Sequence, residues 1–496
     1  MFIIYLLFLI ISNIINSSEN ETMIFAEIHF RHGARAPSSV NENGQDALGI
    51  EWSNPGELTP IGERMQYLLG LRNRQKYITR NKFISDIYDP HELIVFSSNV
   101  NRTLQSVSSQ LQGFYPASSG RGDKLSKEQY DKAIPPFNFS KSEENETKIE
   151  IENEKINLND SALPNYMTII PIHYIGFTNF SINCTEKVKN IINNNNNKQS
   201  VINYVDAFNK NFSKQFNEYL NNTEGNLLNF SYIIGLCDAV YADHFELKNT
   251  TSFYEKINIS ENDLMQNCHE ALTIRYRDIY FGDEKNEYIL YYNSYILNDM
   301  INYMKRRIED DINGDISKNN ISDYSRPRMV FLSGHDTTLS AQQMFFIKFF
   351  NLELKSFMLP GYSSQISFEV TRKNISQNLT NTLKYSDYTV KYYFDNSLIL
   401  SLSFDKFLEK VEQNLWDYKK TQLFCLGEVK KPVDKSNKII IFMGALIFIL
   451  TIVVIVLIFL LLIKNKNKNK NKKPITENFI NDKSIQNEKI INDDDD

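Results

Sequence analysis

Three short apolar runs, each closed by a polar turn and followed by a helical repeat, restrict the fold of this chain more than any other feature. Residues 23–30 (MIFAEIHF), 93–96 (LIVF) and 329–332 (MVFL) have the length and apolar content of buried strands. After LIVF, Leu104, Val107, Leu111 and Phe114 recur at helical spacing. After MVFL, the chain turns at Ser333 and Gly334 into TTLSAQQMFFIKFF, a second helical stretch. A helix is also predicted over 59–77, with Thr59 as N-cap and Pro60 at the first helical position, where its missing N–H is not needed. Strand, loop and helix repeated in this way predict an α/β fold with a mainly parallel central sheet flanked by helices.

The stretch 117–324 has few strand-like runs, many polar segments and an asparagine tract at 193–197. It reads as a smaller, mostly helical inserted domain, with one strand at 169–175. Near the end, QISFEV at 365–370 and YTVKYYF at 388–394 alternate as antiparallel strands do. Phe404, Phe407, Leu408, Val411 and Leu415 then form the apolar stripe of a core-facing helix.

Two apolar segments set the predicted topology. Residues 2–15 form a run too short to span a bilayer and placed as a signal peptide is, with cleavage near Ser17. Residues 439–463 carry no charge over a length that crosses the hydrocarbon core, which predicts one C-terminal transmembrane helix. The lysine run at 464–473 directly after it puts the tail in the cytosol by the positive-inside rule. About fifteen N-x-S/T sequons between Asn20 and Asn378 agree with that orientation. The predicted partition is a signal peptide at 1–17, a folded lumenal or extracellular part at 18–430, the membrane helix at 439–463 and a tail at 464–496. Within the folded part, the α/β core takes about 22–116 and 325–425 and the inserted domain 117–324. This is the layout of a single-pass type I membrane protein of the plasma membrane or a lysosome-like compartment.

Cys184, Cys237, Cys268 and Cys425 all fall on the lumenal side, where an even number reads as two disulfides with three possible pairings. No C-x-x-C spacing is present, so no metal site is expected. A formal net charge of -6 and the lack of a basic stripe in the globular part argue against nucleic acid as a partner.

Ligands of open α/β sheets bind beyond the carboxyl ends of the strands. Those ends here carry Arg31, His32 and Arg35, then Arg102, then His335 and Asp336. Three guanidinium groups suit the oxygens of a phosphoryl group, to which they offer paired donors and a permanent charge. A histidine among them is held neutral by like charge, leaving a ring nitrogen free to attack phosphorus. The carboxyl of Asp336 can protonate the departing alcohol. Beside a bound phosphate anion that carboxyl is expected to stay protonated at mildly acidic pH, giving activity that peaks on the acid side. His29, His91, His173, His244 and His269 are assigned no chemical role.

The string RHGARAP resembles the signature of the histidine acid phosphatases, and SGHDTTLSA is similar to their second, His-Asp motif. GELTPIGERMQYLLGLRNR, between them, looks like the stretch that follows the first motif in that family. The resemblance implies a large α/β domain with a smaller helical one and no cofactor. It further implies His32 as the nucleophile that becomes phosphohistidine, Asp336 as proton donor, and Arg31, Arg35, Arg102 and His335 as phosphate ligands. It suggests that Cys184 pairs with Cys425, which leaves Cys237 to pair with Cys268. One departure stands out: where the family has Asp-x-Asp-Arg-Thr, this chain has Asn99-Val100-Asn101-Arg102-Thr103, two amides in place of two acids. The expected partners are a small phosphate monoester and, through the single helix, the membrane, with a homodimer left open as the assembly. The competing readings are a catalytically weak receptor or adhesion ectodomain on the same fold, and a phytase-like inositol polyphosphate phosphatase.

Overall fold

The computed structural model describes residues 21–427, apart from 121–123, 131, 134–148, 151–152, 155–156, 175–183, 220–226, 315–324 and 375–382. The expected signal peptide at 1–17, membrane helix at 439–463 and tail at 464–496 lie outside the described residues. Seven strands form one sheet: β1 (Glu21–Arg31), β2 (Leu93–Ser97), β3 (His173–Tyr174), β4 (Met329–Gly334), β5 (Gln365–Lys373), β6 (Tyr388–Phe394) and β7 (Ser397–Ser403). Their spatial order is β3-β2-β4-β1-β5-β6-β7.

The sheet is mixed rather than mainly parallel. β3, β2, β4 and β1 run parallel, whereas β5, β6 and β7 are added antiparallel beyond β1. The strands of the parallel half are joined through helices, which crossover connections need; β6 and β7 are joined by a tight turn, which antiparallel pairing allows. β4 and residues 24–30 of β1 are fully buried, as strands covered on both faces must be, and they read as mainly apolar runs, with Glu27 and His29 of β1 paired with each other. Of the expected strand at 169–175, only the two residues of β3 pair, against Phe96 and Ser97, and Ile175 lies outside the described residues.

One face of the sheet is covered by α1 (Pro60–Arg74) and α2 (Asn101–Phe114), whose Leu69, Val107, Leu111 and Phe114 pack with Ile28, Phe30, Val95 and Phe331. Thr59 caps α1 by accepting from the Gly62 N–H at 3.2 Å, with Pro60 at the first position. The segment Thr185–Asn196 (α3), Gln199–Tyr219 (α4), Phe230–Phe245 (α5), Thr251–Ile257 (α6) and Glu261–Ile274 (α7) is helical, and α4 to α7 share a core of their own around Phe208, Phe216, Leu236 and Phe253. The next helix, α8 (Glu287–Ile312), falls within the expected insertion yet buries Leu297, Met300, Met304 and Ile308 in the sheet's other core. There it meets α9 (Asp336–Phe349) and α10 (Phe404–Glu412). α8 thus packs on the sheet although it lies within 117–324.

Candidate active site

Register brings the three strand ends together. Arg31 at the end of β1 lies opposite Gly334 of β4, and Ser97 at the end of β2 lies opposite Ser333. The chain is pinned just beyond the sheet as well: the His32 N–H donates to Gly334 O at 3.1 Å and the Ser98 N–H to Ser333 O at 3.1 Å. His335 is the N-cap of α9 and Asp336 its first residue, so both sit at the positive end of a helix. Arg102 sits in the first turn of α2.

His32 is 2 % exposed, and its Nδ1 lies 2.9 Å from Gly33 O. A carbonyl oxygen only accepts, so Nδ1 carries the proton and Nε2 keeps its lone pair. Burial holds the imidazole well below its ordinary pKa, and Arg31 and Arg35 lower it further. The neutral ring expected from like-charge repulsion is thus owed first to desolvation. His335 stands beside it, ring centroids 5.6 Å apart, with Nε2 at 3.0 Å from Ser98 Oγ. Burial, then Arg102, push its pKa down to about 4.

The three arginines are held at their tips. Arg31 donates to Pro360 O at 2.8 Å, pairs with Asp336 at 2.9 Å and lies over the Tyr362 ring at 4.4 Å. Arg35 makes a two-pronged contact with Asp238 at 2.7 and 3.2 Å. Arg102 reaches Gly56 O at 3.4 Å. The Nε donors of all three are buried and have no partner among the described residues.

Without a bound anion, Asp336 is ionised. Burial alone would raise its pKa, but Arg31 foremost, with Arg35 and Arg275, holds it well below the usual carboxylate range. Among the protein's own groups it is therefore a carboxylate, with Oδ1 also accepting from the Thr337 N–H at 2.8 Å. A proton reaches it only if an incoming anion offsets the guanidinium charge.

Four residues of this site were not singled out from the sequence. Asp238 of α5 clamps Arg35 and accepts from the Ser38 N–H at 2.7 Å. Tyr362 lies 5.9 Å from the His32 ring. Arg275 and Tyr276 belong to a wide π-helical turn, Arg275–Tyr280, that continues α7, and they line a cavity of about 230 Å³ with Arg31, Arg35 and Asp336. His269, given no role above, lines the same cavity. The available signals were slight: Asp238 follows a cysteine, and RYRDIY reads as a surface helix end. Both expected disulfides are present, Cys184–Cys425 and Cys237–Cys268, with Cα separations of 4.7 and 5.1 Å.

A family model described as the histidine phosphatase superfamily (branch 2) matches residues 22–395. The chain is similar to a lysosomal acid phosphatase of Xenopus laevis, 28% identical over 114 residues, which is 23% of this chain and 26% of that protein. It is also similar to a testicular acid phosphatase of Mus musculus, 34% identical over 97 residues, 19% of this chain and 22% of that one. The matched segments thus span about a quarter of the length of these curated relatives. Among solved structures, a phytase of Klebsiella sp. ASR1 aligns over 80% of this chain and 97% of its own, at 14% identity and a TM-score of 0.49.

Proposed function

Because the chain belongs to the histidine phosphatase superfamily, branch 2, we propose that it is an acid phosphatase that hydrolyses phosphate monoesters through a phosphohistidine on His32. The observation that carries this reading is the pairing of His32 Nδ1 with Gly33 O, which leaves Nε2 unprotonated beside the guanidinium groups of Arg31 and Arg35. In the first step the Nε2 lone pair attacks phosphorus, the ester P–O bond breaks, and the leaving alkoxide takes a proton from Asp336. Asp336 has gained that proton as the phosphate enters and offsets Arg31 and Arg35. In the second step the Asp336 carboxylate takes a proton from water, whose oxygen attacks phosphorus as the P–Nε2 bond breaks, releasing inorganic phosphate and returning the lone pair to His32. Arg31, Arg35, Arg102 and His335 hold the phosphoryl oxygens throughout, stabilising charge where it develops.

The same reading places the folded part outside the cytosol, anchored by the helix at 439–463. The two disulfides support an oxidising compartment, and relatives named lysosomal and testicular acid phosphatases suit it. The test is His32→Ala, assayed on p-nitrophenyl phosphate. Turnover should fall by about a thousand-fold or more while the melting temperature stays close to wild type. A folded variant that keeps several per cent of the activity would rule out the covalent route.

A further inference from the structure

The cavity beyond the phosphoryl site contains a cation that the reaction above does not use. Arg275 is half-buried, and its Nε and one Nη donate to Tyr280 Oη at 3.3 and 2.9 Å. No carboxylate stands within ion-pair distance of it among the described residues. Its neighbour Arg277, by contrast, is paired with Asp278 at 2.7 Å. Arg275 faces the same cavity as Arg31, Arg35 and Asp336, and its charge is among those that hold Asp336 ionised. The rest of that wall is mostly apolar or aromatic, with Tyr241, Phe245, Leu272, Leu359 and Tyr362, and its further polar groups include Asp238, already held by Arg35, and His269. A cavity of about 150 Å³ holds a benzene ring, so 230 Å³ accommodates one ring-sized group with a substituent.

We infer that Arg275 is a specificity-determining residue, selecting phosphate monoesters whose alcohol portion joins a compact apolar body to one further anionic group. The inference rests on the phosphatase reading and narrows it. An apolar wall takes the body of the leaving group, and a guanidinium without a carboxylate partner takes its charge, where a neutral group would forgo the charge-assisted part of the contact. A single added cation suits a single added anion, not the many phosphates of an inositol polyphosphate.

The experiment compares 4-carboxyphenyl phosphate with its neutral counterpart, 4-carbamoylphenyl phosphate, on the purified full-length chain at about pH 6, where the carboxylate is ionised. The ratio of kcat/KM values for the two substrates should drop by about ten-fold or more in Arg275→Gln and be largely kept in Arg275→Lys, which retains the charge. Taking the ratio within each variant removes effects common to both substrates, such as a change in the folded fraction. If Arg275→Gln lowers both substrates by the same factor, or wild type does not distinguish them, the specificity role is overturned and the phosphatase reading stands. If wild type turns over neither substrate nor p-nitrophenyl phosphate, the phosphatase reading fails and the specificity role with it.

Discussion

His335 and Asp336 are adjacent in sequence, yet their environments bias them in ways that separate experiments can detect. The folded chain resists protonating His335 until about pH 4, whereas the unfolded chain accepts that proton near 6.5. Its contribution to stability is therefore complete above about 6.5 and is lost as pH falls toward about 4. Urea midpoints taken across that interval should decline less in His335→Asn than in wild type. Part of the slope should remain, because His32 is lowered in the same direction. Parallel slopes would remove His335 as a contributor. Asp336 has a different test. An alkyl alkoxide needs a proton to leave and p-nitrophenolate needs it far less, so Asp336→Asn should slow the phosphorylation step more for an alkyl phosphate, as followed by rapid mixing. Equal losses would leave Asp336 as a partner of Arg31 only.

α1 and α2, the second of which carries Arg102, cross at two glycines. A Cβ on Gly70 would stand 2.0 Å from Gln110 O, and one on Gly113 would stand 2.1 Å from Tyr67 O. No side chain fits there unless the helices separate. Gly113→Ala should cost about 1–3 kcal/mol by overpacking, visible as a lower melting temperature; unchanged stability would mean that the crossing relaxes freely. The periodicity of each helix could be read in advance, but not that they touch backbone to backbone. β7 was missed for another reason. Asp395 and Asn396, both with positive φ, form a two-residue turn that doubles the chain back on β6. The strand that follows is a half-exposed edge whose alternation of serine and leucine is weak as a strand pattern.

The two disulfides tie different parts of the molecule. Cys184–Cys425 joins the start of α3 to the helix Tyr418–Leu426 (α11) across 241 residues, and Cys237–Cys268 joins α5 to α7 across 31. Loop-closure entropy assigns them about 5 and about 4 kcal/mol respectively, before any strain. The double variant Cys184→Ser/Cys425→Ser should accordingly lose more stability in urea. Cys237→Ser/Cys268→Ser should lose more activity, since Cys237 lines the cavity and precedes Asp238, the clamp on Arg35. The reverse pattern would show that the α5–α7 tie does not position the site.

The sequence by itself determined the parts of this protein that are local. Strands β1, β2 and β4 are legible because they are largely buried and mostly apolar, the polar Glu27 and His29 of β1 being paired with each other. His32, Arg31, Arg35, Arg102, His335 and Asp336 are legible because each lies at or a few residues beyond one of those strand ends, where chemistry collects. The rest is decided by contacts between distant segments. Asp238 meets Arg35 across 203 residues, and Tyr362 meets Arg31 across 331, with no periodicity to announce either. The protonation state of Asp336 is the clearest case. Sequence reasoning could place it near a phosphate, but the sum of burial, two guanidinium groups beside it and a third from α7's wide turn exists only once the chain has folded.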